Sequence, residues 1–72
     1  MFSGMSNAKN AVVYESICNA MVVVGDGLRE PEIAAITNLS EGAVYAALKW
    51  AKKQGLLIDC GAKGWFHAAV AL

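Results

Sequence analysis

The sequence predicts a mainly α domain that ends in a small β-hairpin, and three observations predict it. Apolar residues recur at helical spacing through three separate stretches of the first 55 residues. Residues that start or stop helices bound these stretches, among them Pro31, Ser40 and the glycines at 25, 27 and 55. The pattern then changes: "LLIDCGAKGWFHA" sets two runs of strand composition around a glycine-framed turn.

The opening "MFSGMSN" reads as a loose start over residues 1–6, with Ser6 placed to cap a helix over 7–24. Val13, Ile17, Ala20, Met21 and Val24 fall at i, i+4, i+7, i+8 and i+11, which makes one apolar stripe. The β-branched run "MVVV" weakens the end of that helix, and "GDG" stops it, because glycine turns the chain without a Cβ clash. In "REPEIAAITN", Pro31 suits a first helical turn and Glu30 and Glu32 suit its positive end. That second helix is short and breaks at "NLS". Ser40 then caps a third helix by accepting from the N–H of Gly42 or Ala43. Val44, Leu48 and Ala51 form its inward stripe, Lys52 and Lys53 favour its negative end, and Gly55 terminates it. The hairpin pairs 57–60 with 65–68 across the turn at 61–64, and the tail "AAVAL" fits either a strand extension or a short helix.

Composition narrows the function. The 72 residues form a single domain, 57% apolar and 17% charged, which excludes a disordered chain. Much of that apolar content is Ala and Val, but it exceeds what so small a core requires, and a homodimer or a larger protein partner would use it. The apolar run at 20–24 is far short of the ~20 residues a bilayer needs, and no basic leader precedes a long apolar run, so the expected location is the cytoplasm. Cys18 and Cys60 are distant, no C-x-x-C pair exists and His67 is the only histidine, so neither a metal site nor a cofactor is expected. Both thiols read as small buried hydrophobes. "GDG" and "GAKG" lack phosphate-loop spacing and the carboxylates are scattered, so the chain is not expected to be an enzyme.

The net charge is zero but unevenly spread. Residues 1–42 set Lys9 and Arg29 against Glu15, Asp26, Glu30, Glu32 and Glu41, net −3. Residues 43–72 set Lys49, Lys52, Lys53 and Lys63 against Asp59, net +3. A neutral protein with one positive end can still approach a polyanion by that end.

"PEIAAITNLSEGAVYAALKWAKKQGLL" followed by "IDCGAKGWFHA" resembles the winged helix-turn-helix of small bacterial and viral transcription regulators. There a helix of the type "EIA" is followed by "LS", then "xxxVxxxLxxLxxxGLI", then a two-stranded wing. Glu32-Ile33-Ala34, Leu39-Ser40, Val44, Leu48 and Gly55-Leu56-Leu57 occupy those places, and Ala51 stands where a larger apolar residue is usual. The resemblance covers residues 31–67, half of the chain, and rests mainly on core and capping positions. It implies a three-helix core plus wing, with the helix-turn-helix at 31–55 and the wing hairpin at 57–68. It also implies double-stranded DNA as partner and a dimeric transcriptional regulator, with helix 41–54 in the major groove and the wing turn 61–64 near the backbone or minor groove. Winged helices serve as protein-interaction modules too, and fold alone does not choose between these roles.

The side of the third helix opposite its inward stripe runs through Gly42, Tyr45, Ala46, Lys49 and Lys53, with Glu41 near its start. Tyr45 can make one hydrogen bond or stack, Gly42 and Ala46 allow close approach, and Lys49 can reach guanine acceptors or a phosphate. Lys53, and Lys63 at the wing tip, suit phosphates, Glu41 can accept from a cytosine amino group, and Ser40 can touch the backbone as well as cap. The helix has no Arg or Asn, and its one amide, Gln54, lies in the last turn. That modest reading set, with the apolar surplus, supports the interaction module as the alternative, and a mobile-element factor binding mostly through the DNA backbone as a third reading. Tyr14, Met21 and Trp50 are the expected dimer contacts, Trp50 with intrachain packing as its other reading. Of Trp65 and Phe66, on opposite faces of their strand, one is expected in the core and one partly exposed.

Overall fold

The computed structural model describes residues 2–68, with side chains from Ala8 onward. Three helices, α1 (Phe2–Val24), α2 (Glu30–Thr37) and α3 (Glu41–Lys53), precede an antiparallel hairpin of β1 (Leu57–Asp59) and β2 (Trp65–His67). The mainly helical class with a small hairpin is what the sequence predicts. The helix start is not: α1 begins at Phe2, so residues 2–6 are helical and Ser6 lies inside the helix rather than capping it. No proline interrupts "FSGMSN", and a single Gly4 costs too little to stop a helix that α2 and α3 hold in place downstream.

The end of each helix follows from its residues. At α2 the Arg29 N–H donates to Glu32 Oε1 at 2.7 Å, the carboxylate half of a capping box, and Pro31 sits in the first turn. Asn38 ends α2 in the left-handed region at φ 60°, which its short side chain tolerates better than most. Only Asn38, Leu39 and Ser40 separate α2 from α3. Ser40 Oγ accepts from the Ala43 N–H at 3.2 Å, one of the two donors expected. At the other end Gly55, at φ 75°, donates to the Lys52 carbonyl and Leu56 to the Ala51 carbonyl. These two bonds are the Schellman closure that a left-handed glycine makes possible.

The core forms where α1 and α2 meet α3. Val44, Leu48 and Ala51 are fully buried as the stripe predicts, and Ala47 joins them because it lies three residues beyond Val44 on the same side. Ile17 and Met21 come from α1, Ile33 and Ala34 from α2, Leu57 and Trp65 from the hairpin. Val24 departs from its predicted inward place and is 55% exposed, since the chain leaves α1 for the turn at that point. Trp65 is buried and Phe66 half-buried, the division expected of neighbours on one strand.

One pairing is absent from the sequence reading. Trp65 donates to the Leu28 carbonyl at 2.8 Å and accepts from the Gly27 N–H at 2.9 Å, so Leu28 bridges β2 on the edge away from β1. β2 is thus bonded on both sides, to β1 and to the turn between α1 and α2. Asp26 adds a second tie: its carboxylate lies 2.9 Å from His67 Nδ1 and accepts from the His67 N–H at 3.3 Å. The "GDG" segment is therefore an anchor for the hairpin as well as a helix stop.

The anchor depends on Gly64. Its φ is +94°, and a Cβ there would lie 2.6 Å from the Gly27 carbonyl carbon and oxygen and 2.7 Å from that of Leu28. Gly61, in the same turn at φ +62°, faces open space. We therefore expect Gly64→Ala to destabilise the fold by about 2–4 kcal/mol, strain and overpacking together, and Gly61→Ala by only about 1–2 kcal/mol. Urea midpoints measure both, and equal losses at the two positions would remove the packing argument.

Candidate nucleic-acid interface

The inward stripe of α3 determines what its other side presents. With Val44, Ala47, Leu48 and Ala51 buried, Glu41, Gly42, Tyr45, Ala46, Lys49 and Lys53 all lie on the solvent side, and Tyr45 is 50% exposed. This is the face the periodicity predicts. The Lys49 ammonium stands 5.4 Å from the centroid of the Tyr45 ring, within cation–π range, so the two side chains form one unit one helical turn apart. Lys63 is exposed on a single 3₁₀ turn, Gly61–Lys63, at the hairpin tip. Ser40 is exposed while its hydroxyl caps α3.

Two open depressions flank this face on the α1 side. The first lies between Asn10 of α1 and Lys49, Trp50, Lys52, Lys53 and Gln54 of α3. The second lies between Lys9, Asn10 and Val13 of α1 and Ser40, Gly42 and Ala43 at the start of α3. Asn10 and Ala46 line both, so they run together as one trough along α3. Lys9, Asn10 and Lys52 were not among the site residues read from the sequence. A signal existed: Lys9 lies four residues before Val13 and Asn10 seven before Ile17, so both extend the inward side of α1 past the end of the core.

Of the three expected dimer contacts, Met21 lies in the chain's own core, while Tyr14 and Trp50 are half-buried against it. Met21 is 2% exposed and part of the core, which leaves it no surface to give a partner. Tyr14 and Trp50 pack edge to face within the chain, with ring centroids 5.9 Å apart and planes at 62°, and Trp50 also lines the first depression. The apolar surface that α1 leaves free lies elsewhere, at Val12, Val22 and Val23, on the side away from Ile17. Cys18 and Cys60 are free thiols, half-buried rather than buried as expected, because one sits at the margin of the α1 stripe and the other where β1 enters the turn.

Among the described residues no cluster of three His, Cys, Asp or Glu side chains is placed to hold a metal, and no helix is long and apolar enough to cross a membrane.

Behind the trough, desolvation pushes the Tyr14 phenol from 10.0 up to about 12, and the neighbouring Cys18 thiol adds to the shift. The folded chain thus keeps a proton that the unfolded chain releases, so the contribution is complete below pH 10 and is lost as pH rises from there to about 12. Urea midpoints followed through that window should fall more steeply for the wild type than for Tyr14→Phe. Parallel curves would assign the alkaline loss to another group.

No family model, curated protein or solved structure matches this chain.

Proposed function

We propose that the chain is a small DNA-binding protein of the winged helix-turn-helix kind, acting as a transcriptional regulator. The observation that carries the reading is the free face of α3. It bears Tyr45, Ala46, Lys49 and Lys53, all exposed among the described residues, and follows a short turn from α2. In this reading α3 enters the major groove, Tyr45, Ala46 and Gly42 approach base edges, and Lys49 reaches guanine acceptors or a phosphate. Glu41 meets a cytosine amino group, Ser40 and Lys53 lie along the backbone, and Lys63 brings the hairpin tip to the backbone or minor groove. So few cations give one subunit a weak, salt-sensitive hold, and two subunits on a palindromic site would double it.

A second reading has its own observation. Val22 and Val23, 80% and 84% exposed at the end of α1, are costly surface for a chain that meets no protein partner. They supply either the surface of a DNA-binding homodimer or, in place of DNA binding, a protein-interaction module.

Fluorescence anisotropy on a duplex at two salt concentrations tests the first reading. The wild type should bind with an affinity that falls steeply with salt. Lys49→Glu should weaken it about tenfold or more with the helical circular dichroism unchanged. A folded Lys49→Glu with wild-type affinity would sink the role given to α3. Sedimentation of wild type and Val23→Asp tests the second: self-association lost in the variant supports pairing through α1, and a monomer in both removes it.

A further inference from the structure

We infer that α1 is part of the same interface, and that the trough between α1 and α3 carries one phosphodiester strand of duplex DNA past the face of α3. The inference rests on the DNA-binding reading and extends it to residues outside the α3–hairpin surface.

The argument begins with charge. The chain has six lysines and arginines, and four of them, Lys9, Lys49, Lys52 and Lys53, line the trough. None of its six carboxylates does. Most of the positive charge of a chain with zero net charge is therefore gathered along one open channel, with Glu41, between Ser40 and Gly42 at the start of α3, as the carboxylate next to it in sequence. A polyanion with charges spaced along a line is the ligand such a channel fits. Helix stability explains Lys52 and Lys53, which lie in the last turn of α3, but not Lys9, which belongs to α1 and comes to the opposite end of the trough.

Length and placement agree with a strand. From Ser40 to Gln54 the trough follows α3 for about 21 Å at the helical rise. One strand of duplex advances ~3.4 Å along the axis per nucleotide, so several phosphates fall within reach of the lysines at its two ends. A helix lying in a major groove has a backbone beside it, and the trough is the channel beside α3 on the α1 side. Asn10, at the junction of the two depressions, has an amide able to donate to a phosphate oxygen midway. Trp50, which also lines the trough, adds apolar surface along which lysine stems can lie while their charged ends stay in water.

The test is the salt slope of binding to a duplex of fixed length, measured by anisotropy across a salt series for the wild type and single variants. Glutamine replaces lysine so that most of each aliphatic stem remains. Lys9→Gln and Lys52→Gln should each lower the slope of log K against log salt by about 0.9, alike on any duplex sequence. Arg29→Gln, at the start of α2 and outside the trough, should leave it unchanged. If Lys49→Gln lowers the slope while Lys9→Gln and Lys52→Gln do not, the strand does not follow the trough, and the DNA-binding reading survives without it. If Arg29→Gln lowers the slope as much as Lys9→Gln does, the effect is general charge and the trough assignment fails. A wild type with no salt-dependent affinity overturns the DNA-binding reading, and this inference with it.

Discussion

The fold depends on a close approach between two backbones. Gly64 lies so near Gly27 and Leu28 that no side chain fits between them, and that contact holds the hairpin against the turn joining α1 to α2. A lone two-stranded hairpin with three-residue strands would be marginal in water. Here β2 is bonded from both sides, Trp65 joins the core, and Asp26 holds both the ring and the backbone of His67. The three residues 26–28 thus tie the last part of the chain to the first. They also define where the exposed hairpin tip stands relative to α3.

Elements governed by local chemistry were legible in the sequence. The Ser40 cap, the Gly55 stop and the buried stripe of α3 each rest on residues within a few positions of one another, and the structure contains all of them. Because α3 is amphipathic, knowing its buried side was enough to name the exposed face. What the sequence did not disclose depends on long-range contacts. The Leu28 bridge joins residues 37 apart, and the Asp26–His67 pair spans 41. A single apolar residue after "GDG" has no periodicity to mark it as a strand. Tyr14 and Met21 are read from sequence as surplus apolar surface because α1 is apolar on more than one side, and Trp50 as either a partner anchor or intrachain packing. Only the packing partners show that Met21 is inside, that Tyr14 and Trp50 meet at the edge of the core, and that Val12, Val22 and Val23 lie outside.

Charge shows the same division between what is near in sequence and what is near in space. Counted along the chain, Lys9 belongs to the acidic half. In the fold it stands at the start of α3, beside Ser40 and Gly42, on the same side as Lys49, Lys52 and Lys53. The carboxylates at 30 and 32 remain with α2, where Glu32 serves the helix start. A net charge of zero therefore conceals an unevenly charged surface, in which Glu41 is the carboxylate left on the lysine side, and electrostatic steering responds to that distribution more than to the sum.

The shortness of the strands has a consequence for self-association. A sheet invites addition of another chain in proportion to the unpaired edge it offers, and strands of three residues with a one-residue bridge offer very little. The chain nevertheless carries a strongly strand-prone run, Val22-Val23-Val24, which α1 holds in helical form at the surface. Fraying at that end of α1 would release a segment with the composition of a β-strand, but the short sheet would give it almost no edge to template on. The brevity of the hairpin thus closes one route to ordered aggregation, growth on the edge of the folded sheet.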